Sequence, residues 1–146
     1  MVQLPGKLIL PRSCTEGRGV SALLQNRIID GKELIYYSGD MEHLADRISD
    51  IKESILKFVP AKYIYLFGSH AYGAPTEKSD IDIYIVTPDE ISNLTELYAK
   101  IVVDLSDKRI YFIDLFLSNE TVFNKRKAEN IFERTVYQKG LMLYEY

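Results

Sequence analysis

Residues 68–82 read GSHAYGAPTEKSDID, and an apolar run stands on either side of them. Upstream, Tyr63-Ile64-Tyr65-Leu66-Phe67 has the aromatic and β-branched content of a buried strand, and downstream Ile81 to Val86 is a run of the same kind. The order predicts two strands joined through a Gly-Ser turn, with two acids on the second. Asp80 and Asp82 are two apart, so in a strand they leave the same face, about 6 to 7 Å from one another. Two carboxylates on an otherwise apolar strand are costly to desolvate and repel each other unless a cation compensates. A hard divalent ion such as Mg²⁺ meets that need, because it takes oxygen ligands and keeps room for water and substrate phosphates. Gly68 lacks a Cβ and lets backbone approach a ligand closely. The amides of Ser69 and His70 can face phosphate oxygens if a short helix starts at Ser69. The stretch therefore reads as a phosphate-and-metal site.

Gly68-Ser69, ten intervening residues and then Asp80-Ile81-Asp82 resemble the signature of the DNA polymerase beta nucleotidyltransferase superfamily, in its minimal single-domain (MNT) branch. In that superfamily a third carboxylate lies on a neighbouring strand, and Asp114 matches it within the apolar run Ile110 to Leu117. The resemblance spans roughly residues 40–146. It rests on three parts in the right order, since neither a Gly-Ser pair nor an Asp-x-Asp alone is specific.

A chain of 146 residues fits one domain with a real core. At 47% apolar and 27% charged residues, the composition is that of a globular protein and argues against disorder. A net charge of −3 provides no basic face for an extended nucleic-acid surface. The single cysteine, Cys14, excludes an internal disulfide and fits a reducing cytoplasm. No apolar run reaches the length of a membrane helix, and the patch Leu8 to Leu10 is too short for a signal peptide. A cytoplasmic protein is expected.

Along the chain, residues 1–39 are expected to be an N-terminal extension outside the resemblance. Within it, Lys7 to Leu10 reads as a short strand and Val20 to Ile28 as a helical turn or two. Ile28-Ile29-Asp30 and Glu33 to Tyr37 then flank a hairpin signal at Asp30-Gly31. Residues 40–146 are expected to form the second unit. Asp40 is a plausible N-cap for an amphipathic helix carrying Met41, Leu44, Ile48, Ile51, Ile55 and Phe58, which ends before Pro60. A second helix is expected from Asp89 or Glu90 to about Ser106, then the strand Ile110 to Leu117. Ser118 is placed as the cap of a last long helix, Gly140 as its C-cap, and Leu141 to Tyr146 as a final strand or tail. The fold class is α+β (mixed α/β): a small mixed sheet flanked by helices, expected on one side, which is the polymerase-beta-like nucleotidyltransferase fold that the resemblance implies.

The resemblance also implies the chemistry. Asp80 and Asp82 would bridge two Mg²⁺ ions about 3.5 to 4 Å apart, and Asp114 would complete one ion's shell or take the acceptor's proton. Gly68 and Ser69 would bind the triphosphate of ATP, and Ser79 would either touch phosphate or cap a turn. Lys78, His70 and Tyr72 are weaker candidates for contact with the nucleotide. The basic cluster Lys125-Arg126-Lys127 with Arg134 reads as a solvated face or a contact for a nucleotide or acidic partner. Minimal nucleotidyltransferases of this type are similar to antitoxins of HEPN/MNT toxin-antitoxin pairs, some of which attach AMP to a tyrosine of the HEPN toxin. That is the leading expectation. The alternatives are transfer to a small molecule such as an aminoglycoside, and a catalytically silent toxin-binding module.

Overall fold

The computed structural model describes residues 24–29, 32–37, 42–73, 75, 76, 78–129 and 131–146, with side chains from Leu44 onward. Strands β1 (Leu24–Ile29) and β2 (Lys32–Tyr37) pair antiparallel from Ile29↔Lys32 to Leu24↔Tyr37, as a two-stranded sheet of their own. The hairpin expected around Asp30-Gly31 is present. Of the helical turns expected over Val20 to Ile28, the described part, from Leu24, is strand instead, because cross-strand pairing prevails over a short and weakly periodic stretch, and residues 20–23 lie outside the described residues. The strand expected at Lys7 to Leu10 lies outside the described residues.

Helix α1 (Glu42–Phe58) buries Leu44, Ile48, Ile51 and Ile55, the stripe its spacing predicts, and stops two residues short of Pro60. Strand β3 (Tyr63–Phe67), the four-residue helix α2 (Ser69–Tyr72) and strand β4 (Ile81–Thr87) follow. Helix α3 (Leu94–Asp107) starts later than Asp89 because the chain first makes a turn after β4, closed by the Ile91 amide donating to the Pro88 carbonyl at 3.2 Å. Strand β5 (Ile113–Asn119) begins three residues later than its apolar run, since Arg109 and Phe112 turn the chain with φ of 56° and 61°.

The last helical region is two helices, α4 (Glu120–Glu129) and α5 (Ile131–Lys139), followed by strand β6 (Leu141–Glu145). Ser118 does not cap α4. It lies buried within β5, where its hydroxyl accepts from Tyr84 Oη at 3.1 Å. The N-terminal turn of α4 is held instead by Asp89, whose carboxylate accepts from the Thr121 amide at 2.9 Å and the Thr121 hydroxyl at 2.6 Å.

The main sheet runs β5-β4-β3-β6. β3 pairs antiparallel with both β4 and β6, while β4 and β5 are parallel, with α3 as their crossover. Alternation sorts the side chains. Ile64, Leu66, Ile81, Ile83 and Ile85 form one core with α1 and α3. Tyr65, Phe67, Tyr84 and Val86 form a second with Phe123 of α4 and Val136 of α5. The sheet is therefore covered on both faces, not on one, because both parities of β3 and β4 are apolar and each needs a layer. Gly140 is buried where α5 turns into β6. A Cβ there would collide with the Val136 carbonyl and lie 3.2 Å from the Leu66 carbonyl, so the position is set by close backbone packing.

Candidate active site

β3 ends at Phe67 and the chain turns at Gly68, with φ 69° and ψ −157°, a conformation that a side chain opposes. α2 begins at Ser69, as the motif requires. The amides of Ala71 and Tyr72 donate to the Gly68 carbonyl at 3.0 Å each, and the Ser69 amide lies ahead of these first bonds. The turn is packed directly on the acids: a Cβ at Gly68 would overlap the Asp82 carboxylate, whose Cγ is only 2.9 Å from that point.

Asp82 is the second residue of β4, paired across to Phe67 on one side and to Asp114 of β5 on the other. Residues opposite one another in a pleated sheet share a face, so Asp82 and Asp114 stand side by side, one strand spacing of about 4.8 Å apart. Asp80 lies just before β4 rather than on it, since the strand begins at Ile81, where the Ile81 amide donates to the Phe112 carbonyl at 3.0 Å. Both other acids act on Asp82. Burial, then Asp114, then Asp80 push the Asp82 carboxyl above the usual range, with His70 opposing them. The three carboxylates thus gather at one end of the sheet, at the start of β4 and β5 and beside the turn after β3.

The neighbouring loop braces this arrangement. His70 Nε2 donates to the Ser79 carbonyl at 3.2 Å, tying α2 to the residue before the acids. The Ser79 hydroxyl accepts from the Thr76 amide at 2.8 Å and lies 3.1 Å from the Thr76 hydroxyl, so of the two roles open to it the turn cap is realised here. Lys78 is exposed in that turn. Tyr72 is half-exposed, and burial followed by the Asp82 charge raises its phenol.

The basic cluster is largely engaged in joining α4 to α5. Arg126 pairs with the buried Glu133 at 3.3 Å, Arg134 donates to the Ala128 carbonyl at 2.6 Å, and Lys127 sits 4.2 Å above the Tyr137 ring.

A further set of residues beside the acids carries no signal in a motif. Tyr84 and Phe116 follow Asp82 and Asp114 by two in register, on the same face, and their rings stack at 7°. Phe67 and Phe132 complete a wall of rings with centroids 5.4 to 5.5 Å from that of Phe116. The i, i+2 parity from each acid was the available clue.

The donor set suits a hard divalent cation: it consists of carboxylate oxygens, and burial with the neighbouring acids raises Asp82 more than His70 offsets. Among the described residues no three His, Cys, Asp or Glu side chains are closed tightly enough to hold a metal ion unaided. Such an ion would take part of its shell from water or substrate.

A mixed sheet with a Gly-Ser turn and gathered acids at one end is the framework of a nucleotidyltransferase. A crystal structure of a putative nucleotidyltransferase from Sulfolobus solfataricus has the same fold: TM-score 0.51, 18% identity, 73% of this chain and 84% of that one covered. The chain belongs to the nucleotidyltransferase domain family, whose model matches residues 48–138, and it is a nucleotidyltransferase. It is 39% identical over 83 residues to a putative protein adenylyltransferase of Methanocaldococcus jannaschii, which covers 57% of this chain and 78% of that protein. A toxin-antitoxin structure with AMP-PNP has a TM-score of 0.45 at 20% identity, over 67% of this chain and 73% of that one.

Proposed function

We propose that this chain moves AMP from ATP to a hydroxyl of a partner protein, the acceptor being a tyrosine of a HEPN-type toxin that the transfer silences. The observation that carries the reading is the Asp82↔Asp114 register beside the Gly68-Ser69 turn. The adenylyltransferase name of the Methanocaldococcus jannaschii relative supports the class of acceptor, and the resemblance of the Gly68-Ser69 and Asp80-Ile81-Asp82 motif to HEPN/MNT antitoxins supports the toxin. Residues 40–146 are the transferase unit and 1–39 an extension to it. The setting is the cytoplasm, where ATP is supplied; among the described residues no helix is long and apolar enough to cross a membrane.

Asp80, Asp82 and Asp114 would hold two Mg²⁺ ions, which when bound neutralise phosphate charge and ease deprotonation of a hydroxyl. The Gly68 turn brings backbone against the triphosphate, and Ser69 binds the β or γ phosphate through hydroxyl and amide. Ser79 keeps the acids at the turn. The acceptor oxygen attacks the α-phosphorus in line, the bond to the β-phosphate oxygen breaks, and pyrophosphate leaves. Asp114, nearest the edge of the sheet, accepts the hydroxyl proton. The side chains contribute chiefly positioning and charge.

The test is incubation of the purified protein with Mg²⁺, α-labelled ATP and the small helical protein encoded beside it. Label should appear on a tyrosine of that neighbour and vanish with the double change Asp80→Asn and Asp82→Asn. Tight binding of the neighbour with no label transferred would reject the enzyme reading in favour of neutralisation by contact.

A further inference from the structure

Phe67, Tyr84, Phe116, Phe123 and Phe132 make one aromatic cluster against the acid-bearing face, yet they are not equally covered. Phe67, Tyr84 and Phe123 are buried at 6%, 2% and 1% exposure, whereas Phe116 and Phe132 retain 40% and 42%. The two open rings lie 5.4 Å apart, and Phe116 is the next residue on the same face after Asp114. Same-face neighbours along a strand are about 6.5 to 7 Å apart. A tyrosine side chain is about that long from its oxygen to its Cα, so a hydroxyl held at Asp114 would bring the ring behind it against Phe116. An aliphatic hydroxyl has no ring to place there.

We propose, building on the transfer reaction above, that Phe116 and Phe132 form an acceptor platform that selects a phenolic hydroxyl over an aliphatic one. Planar rings prefer offset or edge contacts with centroids about 4.5 to 7 Å apart, the separations already found within this cluster. The rigid floor of Phe67 and Tyr84 beneath Phe116 holds the platform in place without covering it. A nucleobase is the competing occupant; Asp114 favours the acceptor, because Phe116 shares its strand and face with the acid that takes the acceptor's proton.

The experiment titrates the full chain, with Mg²⁺ and a non-hydrolysable ATP analogue present, with N-acetyl-tyrosinamide and, separately, N-acetyl-threoninamide. Ring-proton shifts of Phe116 and Phe132 are followed by NMR. The tyrosine compound should move both rings and the threonine compound neither. Phe116→Leu and Phe132→Leu should each weaken the tyrosine compound about three- to tenfold. Phe132→Leu, on the helix surface, serves where Phe116→Leu fails to fold.

Equal shifts with both compounds, or none with either, would overturn the platform. Shifts caused by the ATP analogue alone, with both variants weakening that analogue instead, would assign the rings to the base and also overturn it. Failure of the wild-type protein to bind the analogue at all would count against the transfer reaction itself, a separate result read in the same samples.

Discussion

Gly68 and Asp82 are packed so closely that the glycine's missing Cβ is the space the Asp82 carboxylate occupies. The turn that would hold phosphate and the acid that would hold metal are thus one interlocked unit. Gly68 also carries a φ of 69°, so two independent reasons exclude a side chain there.

Gly68→Ala is therefore expected to cost about 1 to 3 kcal/mol of stability from backbone strain and to displace Asp82. Denaturant titration checks the first effect. Nucleotidyl transfer should fall by more than the loss of folded protein accounts for. A variant of full activity would show that Asp82 does not need its present position.

Asp114→Asn keeps the shape of the side chain and removes its basicity. Loss of a proton acceptor typically lowers the rate about 10²- to 10⁴-fold, and that is the expected drop in transfer to the partner protein. Because Asp114 is exposed near the start of β5, the melting temperature should change little. Transfer at the unaltered rate would exclude Asp114 from the reaction.

Asp82 gives a pH dependence of definite sign. Its folded-state carboxyl titrates above the usual value, owing to burial and to Asp114 and Asp80. The stability it contributes is present below the ordinary carboxylate range and is lost as pH rises through the raised value. Melting curves from acid to neutral pH should show Asp82→Asn gaining on the wild type as pH rises. Asp104 acts oppositely: its hydrogen bond to Lys57 at 2.6 Å holds it down to about 2, so its contribution is lost as pH falls toward that value. Parallel wild-type and Asp82→Asn curves would contradict the assignment.

Asp89→Ala should lower the melting temperature, because it removes the acceptor that holds the first turn of α4. Thr121 supplies both donors to that carboxylate, so a double-mutant cycle with Thr121→Val should return a coupling energy. Additive effects would mean the contact holds nothing.

Sequence alone determined the identities and order of the chemistry: an apolar strand, a Gly-Ser turn, two acids at period two and a third acid inside a later apolar run. It also determined α1, because an amphipathic stripe is a local pattern, whereas Leu141 to Tyr146 read as a strand or a tail and became β6 through pairing with β3. Tertiary structure decided what depends on partners distant in the chain. It moved Ser118 from a cap into a buried strand, gave the capping of α4 to Asp89, and started β5 only after Phe112 had turned. It covered the sheet on both faces, and it set Asp114 beside Asp82 and Phe116 beside Tyr84. Register between β4 and β5 is settled by packing across α3, which separates the two strands by 25 residues, and no local preference encodes it.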